Sequence, residues 1–575
     1  MPFSWNSCML WRRNKRRRII EIAPDEVMLD SSNIPDFNTA QFEGRLERPI
    51  SKLALYATGL VFVALTCVFV VQAWSLQVMH GEEYRTRSEN NLLRPVPIFA
   101  GRGVLEDRNG KLLAWNAPAQ TTDATSSDES VATRQYATST GLSHVIGYVK
   151  YPSKDKNGFY YQDDFEGVAG AEKYFDAELQ GINGSRLVEV DARGSVVSQN
   201  VVRPPIQGKS VRLSIDERIQ SSLHHNIKDI MSRAQFDGGA AVVLDIHTGE
   251  IIALTSYPEY SSQVMSDGAD SDRIRALLSD KELPFLNRAV DGLYAPGSTV
   301  KPYVALGALT EKIIDPDAII YTTGSISIPN PYDPTKSTVF KDWRNNGALD
   351  LRKALSVSSD AYFYIIGGGY KDLKGLGIAN IDKYVSMFGL GSRIPDSFVP
   401  GKAGTVPTPE WKKATFNEEW YLGNTYHTSI GQYGFQVTPM QMARAVAAVA
   451  NSGLLLVPTI IKDDGPHVER FIDAIPQKNF QIVREGMRMA VTTGTSPILK
   501  IPYVSIASKS GTAELGVAKD HINSWITGFW PYENPKYAFV VMLEKGSIHN
   551  TIGASTAMRQ QLDWMNEHTP EYFKP

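Results

Sequence analysis

The stretch GGAAVVLDIHTGEIIALTSYP, residues 238–258, holds two apolar runs joined by His247-Thr248-Gly249. Short runs of this kind, rich in Val and Ile and separated by a Gly-containing turn, read as a β-hairpin. Far downstream, VSIASKSGTAE (504–514), NSWITGFWP (523–531) and YAFVVMLEKG (537–546) read as three further strands. DERIQSSLHHNIKDIMSRA (216–234), ahead of the hairpin, has apolar residues at helical spacing, and TIGASTAMRQQLDWMNEH (551–568), after the last strand, is also helical. Two strands from the start of a domain and three from its end therefore enclose a long middle of helices and loops. That pattern specifies an antiparallel five-stranded sheet with segregated helices, the α+β class.

The chain has 575 residues, too many for one ordinary domain. Apolar residues make up 42%, enough for sizeable cores, and a net charge of −3 gives no global pull toward nucleic acid. Cys8 and Cys67 are the only cysteines, so residues beyond 67 hold neither a disulfide framework nor a cysteine–zinc site. From Leu53 to Val71 the chain carries no charge, and QAWSLQVM extends that run to residue 79. This length crosses a bilayer core and reads as an uncleaved anchor, since some fifty residues precede it. Lys and Arg close to the span nearly balance, and RRNKRRR (12–18) breaks the tie, placing the N-terminus in the cytoplasm and the large C-terminal part outside.

The organisation expected is a largely disordered basic cytoplasmic arm over 1–52 and a transmembrane anchor over 53–79. A β-rich membrane-proximal pedestal over 80–210 follows, then the α+β domain over 211–575. In the pedestal, 78–91 continues as helix, DRNGK (107–111) forms a hairpin-type turn and 117–140 is a loop. Residues 167–194 give a helix, a strand and a turn.

In LYAPGSTVKP (293–302) a Pro-Gly turn delivers Ser298 to the start of a helix, with Lys301 one turn later on the same face. A serine there has its backbone N–H and the helix's positive end near a developing oxyanion. The spacing alone decides nothing, because Ser153 and Lys156 also fit it. To act as a base Lys301 must lose its proton, and a free lysine titrates near ~10.4. Burial or a second cation must oppose the charge. Lys509 in SKSGTAE (508–514) supplies such a cation, beside the hydroxyls of Ser510 and Thr512. Gly511 between them permits close approach of a substrate or another backbone, and the strand could add an extended peptide to its edge. ALSVSSDAYFY (354–364) contributes Ser358 and Asp360.

Ser-x-x-Lys, Ser-x-Asp and Lys-Ser-Gly in this order resemble the motif set of the penicillin-binding proteins. The segments FLNRAVDGLYAPGSTVKP, WYLGNTYHTSIGQYGFQVTPMQMARAVAAVANSG and SKSGTAELG are similar to class B members, and NNLLRPVPIFAGRGVLEDRNGKLLAWN to their dimerisation-type pedestal. The elongation-type branch is the nearest, and the resemblance spans residues 50–570. It implies a serine-type D,D-transpeptidase of peptidoglycan biosynthesis, a β-lactam target in the bacterial plasma membrane that works in cell elongation and shape. Ser298 would attack the penultimate carbonyl of a D-Ala-D-Ala stem and form an acyl-enzyme. Lys301 would take the serine proton, Lys509 would help keep Lys301 neutral, and Ser358 would relay a proton to the leaving amine. The oxyanion hole would come from the backbone of Ser298 and Thr512. Asp360, Ser510, Gly511 and Thr512 would line the substrate site. An amine of a neighbouring stem completes the cross-link, with neither cofactor nor metal, and the implied partner is a polytopic glycosyltransferase of the shape, elongation and division group.

Two departures from the family pattern stand out. Asp360 replaces the commoner Asn, and an ionised carboxylate beside Lys301 would oppose its work as a base, so the expectation is a side chain turned toward backbone donors or a second cation. IGQYG (430–434) replaces IGQG. The alternatives are a D,D-carboxypeptidase or β-lactam-sensing or hydrolysing relative, and a non-catalytic scaffold activating a membrane glycosyltransferase. No Glu-x-x-Leu-Asn favours the hydrolases, and intact Ser298, Lys301, Ser358 and Lys509 speak against the scaffold. His224-His225 and DGADSD (267–272) lack the spacing of metal sites, and Trp411, Trp420 and Tyr421 take no assigned role.

Overall fold

A computed structural model of the protein describes residues 51–85, 93–118, 131–156, 160–190, 196–330 and 333–574. The basic arm expected over 1–52 thus falls, up to residue 50, outside the described residues. The described residues fall into two units, divided between residues 85 and 93.

In the first unit, helix α1 (Lys52–Trp74) is capped by Ser51, whose Oγ accepts from the Ala54 N–H at 3.2 Å. A π-helical turn, Ser75–Met79, carries it on. No residue of α1 is buried although nearly every one is apolar. The 28 residues from Lys52 to Met79 reach about 40 Å at ~1.5 Å each, enough for a bilayer core. An exposed apolar cylinder of this size has no place in water and marks the protein as membrane-anchored. The helical continuation expected over 78–91 is present at 81–85, and its remainder lies outside the described residues.

The second unit begins with the pedestal. One antiparallel sheet runs Leu93–Ile98, Gly184–Val190, Val196–Arg203, and a second orders Val211–Arg212, Leu105–Glu106, Leu112–Ala117, Thr133–Tyr136. The loop expected over 117–140 is therefore corrected at 133–136, which pairs as a strand with Leu112–Ala117. Its signal is weak because only Tyr136 of TRQY is apolar; the other inward position is a buried arginine, Arg134, which also donates from Nη1 to Asn116 Oδ1 at 3.0 Å across the pair. The DRNGK turn closes as expected, with Gly110 at φ 84°. It also reaches into the α+β domain: the Arg108 N–H donates to Ile215 O at 2.9 Å and Asn109 Nδ2 to Asp216 Oδ2 at 3.2 Å.

Three buried charges hold the pedestal together. Glu172 accepts from Arg102 Nε at 2.6 Å and from Arg134 Nε at 2.8 Å, and Arg102 also pairs with Asp176 at 2.7 Å. None of the Glu172, Arg102 or Arg134 side chains is exposed.

The α+β domain contains the expected sheet. Helix α2 (Glu217–Ala234) leads to strands β1 (Gly238–Asp245) and β2 (Ile251–Tyr257); the middle holds α3 (Lys301–Thr310), α4 (Asp360–Gly368), α5 (Pro439–Ala450) and α6 (Gln477–Thr492). Strands β3 (Ala507–Leu515), β4 (His521–Trp530) and β5 (Tyr537–Ser547) and helix α7 (Ala554–His568) follow. The sheet order is β2-β1-β5-β4-β3, antiparallel throughout. Alternation splits the side chains between two cores. Ala240, Val242, Val540 and Met542 join the core that holds α3, α4 and α5, whereas Ala241, Val243, Phe539 and Val541 pack on α2 and α7. Ile219, Leu223, Ile227, Ile230 and Ala234 of α2 recur at helical spacing and form its sheet-facing stripe. Helices α3 and α5, by contrast, are buried on almost every side. The middle, expected to hold only helices and loops, also contains an antiparallel strand pair, Ser325–Asn330 with Asp333–Lys341.

Replacing Glu172 with Ala leaves two buried guanidinium groups short of their carboxylate, a change that costs about 3–5 kcal/mol. Chemical denaturation of the detergent-solubilised Glu172→Ala protein is expected to show an early transition assigned to the pedestal by limited proteolysis.

Candidate active site

Ser298 lies on a 3₁₀ turn, Gly297–Val300, which feeds directly into α3. Gly297 sits at φ 54°, a region costly for other residues, and donates its N–H to Gly431 O at 3.0 Å. A Cβ at 297 would come within 2.6 Å of Thr512 O, and one at 431 within 2.2 Å of Gly297 O. A Cβ at 511 would meet Thr299 Cγ2 at 2.7 Å and Pro296 O at 2.9 Å. Three glycines thus let strand β3, the nucleophile turn and the 430–434 loop touch through backbone. The close approach expected at Gly511 is made by the serine's own turn. Trp525 on β4 adds a brace, donating from Nε1 to Ala295 O at 3.0 Å.

Lys301, at the first position of α3, is fully buried. Its Nζ donates to Ser358 O at 2.8 Å, to Asp360 Oδ1 at 2.7 Å and, at 3.4 Å, to Ser358 Oγ. Lys509, equally buried on β3, donates to Ser358 Oγ at 2.8 Å and to Ser510 O at 2.8 Å. Burial, reinforced by the Lys301 charge and opposed by Asp360, pushes the Lys509 ammonium well below the ordinary lysine range. Ser358 stands between the two lysines in a left-handed conformation, φ 58°, at the break between helix 351–357 and α4. Ser298 Oγ makes no hydrogen bond among the described residues, so its hydroxyl is free to turn toward a bound carbonyl.

The structure therefore brings Ser298, Lys301, Ser358, Asp360, Lys509, Ser510, Gly511 and Thr512 to one place, at an edge strand of the sheet. Ser153 and Lys156 lie in the pedestal, apart from it. The expected orientation of Asp360 needs correction: its carboxylate binds Lys301 itself. The backbone donors at the start of α4 are already occupied, by Asp342 and Ser359, and a buried ammonium requires a counter-charge. Sequence reasoning also missed Thr495, whose Oγ1 lies 2.9 Å from Ser510 Oγ, and Asp342. Neither belongs to a motif, and only the fold carries them to the site.

The IGQYG departure also has a structural answer. Tyr433 adopts φ 61°, where a glycine is at ease, and its ring stands edge-on to Trp411 at 6.2 Å and Trp420 at 5.8 Å. Beneath them Lys412 is buried, donating to Glu419 O at 2.6 Å with its charge 4.8 Å from the Tyr421 ring. Aromatic packing on Tyr433, and the Lys412 charge 5.9 Å from its ring, offset the backbone strain, at about 1 kcal/mol each. Trp411, Trp420 and Tyr421 thus buttress this loop. His224 is buried and His225 exposed, and among the described residues there is no cluster of His, Cys, Asp and Glu able to hold a metal.

A family model described as the penicillin binding protein transpeptidase domain matches residues 239–562, and one for the penicillin-binding protein dimerisation domain matches 126–213. Peptidoglycan D,D-transpeptidase MrdA of Escherichia coli strain K12 is 30% identical over 87% of this chain and 92% of its own. MrdA of Haemophilus influenzae is 28% identical over 94% and 96%. Among solved structures, Pseudomonas aeruginosa PBP2 in complex with WCK 5153 shares 28% identity at a TM-score of 0.67, covering 84% of this chain and 100% of that one. Helicobacter pylori PBP2, in its complex with MreC, shares 25% at 0.67, covering 83% and 99%. With the Ser298 turn, the paired lysines and the pedestal in place, the chain belongs to the penicillin-binding protein transpeptidase family, in its penicillin-binding protein 2 branch.

Proposed function

We propose that this protein is a peptidoglycan D,D-transpeptidase, cross-linking stem peptides through a serine acyl-enzyme in cell-wall synthesis, and that penicillins acylate the same serine. The observation that carries this reading is the hydrogen-bonded series Lys301–Ser358–Lys509 behind a free serine hydroxyl, beside an edge strand.

Paired with Asp360, the Lys301 ammonium cannot accept the serine proton. It has an exit through Ser358 Oγ to Lys509, where burial favours a free amine. A donor stem placing its terminal carboxylate at Lys509 reverses that preference, since a neighbouring anion favours the ammonium. Substrate binding thus draws the proton across and leaves Lys301 as the base. Ser298 Oγ then attacks the penultimate carbonyl carbon, its proton passing to Lys301, while the backbone N–H groups of Ser298 and Thr512 hold the oxyanion. As the C–N bond breaks, Ser358 relays a proton to the departing D-alanine amine. The amine of a second stem attacks the ester, forms the cross-link and frees Ser298. Ser510, Thr512 and Lys509 hold the donor carboxylate, and Asp360 serves through its hold on Lys301.

The domain reading follows: an anchor over 53–79, a pedestal over 80–210 and the transpeptidase over 211–575. The basic N-terminal run supports a cytoplasmic N-terminus and a catalytic domain on the outer side of the plasma membrane. A polytopic glycosyltransferase and an MreC-type protein are the partners proposed for the span and pedestal. A solved relative in complex with MreC and a similar chain from a peptidoglycan synthase complex that couples polymerization and crosslinking support this.

A fluorescent penicillin is expected to label the wild type covalently and leave Ser298→Ala unlabelled, with Lys301→Ala slowed by about 10²–10⁴-fold. An unlabelled wild type would reject the reading. A donor peptide ending in a carboxamide is expected to lower the acylation rate constant as well as binding, measured by single-turnover kinetics, because it cannot recharge Lys509. Lys509 also carries a stability signature. With its native value depressed, the unfolded chain binds a proton the native protein lacks, from that value up to ~10.4, so stability rises with pH across the window. Thermal unfolding of Lys509→Met should lack this rise, and the wild type should gain on the variant as pH approaches 10.

A further inference from the structure

We propose that Asp342 is a positioning residue for acylation, fastening the loop 341–346 to the start of α4 and so fixing Ser358 and Asp360 against the two lysines. The role rests on the transpeptidase reading and adds to it a residue outside the three motifs.

The first backbone donors of a helix have no partner within the helix and must find one outside it. At α4 the account closes without water. The Asp360 N–H donates to Asp342 Oδ1 at 3.0 Å, the Ala361 N–H to Asp342 Oδ2 at 3.2 Å, and the Tyr362 N–H to Ser359 Oγ at 3.2 Å. Ser359 in turn donates its hydroxyl to Asp342 Oδ2 at 2.5 Å. From its own loop Asp342 accepts the Trp343 N–H at 2.8 Å and Asn346 Nδ2 at 3.2 Å, while its N–H donates to Gly324 O at 2.8 Å. One carboxylate therefore takes five donors, three from the segment that begins α4 and two from the loop.

This arrangement has a direct line to the chemistry. The residue whose N–H Asp342 holds is Asp360, whose side chain holds Lys301 at 2.7 Å. Two positions earlier is Ser358, whose oxygens take both lysines. Ser358 is kept in a left-handed conformation that a serine does not choose freely, so the flanking cap must hold it there. Ser359 is fully buried, leaving no room for water to replace a lost partner. The negative charge of Asp342 also lies at the positive end of α4. Without it the start of α4 is free to shift, and a misplacement of about 1 Å near reacting groups costs up to ~10²-fold.

The test is stopped-flow acylation of the full-length protein by a fluorescent penicillin, resolving the non-covalent binding constant from the acylation rate constant. Asp342→Ala is expected to lower the rate constant 10- to 100-fold with binding unchanged. Asp342→Asn, which keeps one accepting oxygen, should recover part of that loss and covers the case in which the alanine variant does not fold. In a double mutant, Asp342→Asn and Ser359→Ala should cost less than the product of their separate effects, as two parts of one cap. Hydrogen exchange of peptides spanning residues 355–366 should rise in each variant. A lowered melting temperature with the folded fraction acylating at the wild-type rate would overturn the positioning role and leave the transpeptidase reading intact. Failure of the wild type to acylate would overturn both.

Discussion

Two lysine side chains with no access to water share one hydroxyl, and only one of them, Lys301, holds a carboxylate; the site is built around that constraint. A buried ammonium is costly unless it is paired, and Asp360 supplies one negative charge for two potential cations. The surplus is resolved at Lys509, which burial drives toward the free amine. Ser358 can then donate toward one lysine and accept from the other, which is what a proton conduit requires. The surrounding architecture keeps this group dry. Lys301 stands on a helix buried on almost every side, Lys509 on an edge strand packed against α6, and Ser358 at a helix break in contact with both.

Much of this was readable from the chain. The hairpin at 238–258, the three late strands and the flanking helices announced themselves by period and punctuation, because each buries apolar side chains at every turn or alternate position. Ser298, Lys301, Ser358 and Lys509 were legible as ordered motifs. Less visible were features held by backbone or by a single distant side chain. TRQY at 133–136 pairs with Leu112–Ala117, and its inward positions are Arg134 and Tyr136, so a buried charge breaks the apolar alternation that would have marked it. Asp342 and Thr495 sit in unremarkable polar loops, and only tertiary folding brings them beside α4 and Ser510. The direction taken by Asp360 was misjudged for a related reason: whether its carboxylate meets a backbone donor or Lys301 depends on which donors a remote aspartate has already taken.

The 430–434 loop shows how a departure from pattern is absorbed. Placing Tyr433 in a left-handed conformation strains the backbone, and the strain is met by two tryptophans and a buried lysine drawn from the segment 411–421. Gly431, two residues earlier, still presents its carbonyl to the nucleophile turn. The compensation is local, so the part of the loop that touches Gly297 keeps its place.

The order of strands in the sheet has a consequence for how the molecule is made. Strand β1 has β2 on one side and β5 on the other, and β5 follows it by about 300 residues. At roughly 5–20 residues per second, a ribosome takes about 15–60 s to cover that distance. Throughout that interval the β1–β2 hairpin exists with one long apolar edge unpaired and no β4 or β3 to complete the sheet. The edge most prone to capture by another chain is thus the one that waits longest for its partner. The topology that makes the active site possible thus leaves the first two strands of the sheet to wait for their partners during synthesis.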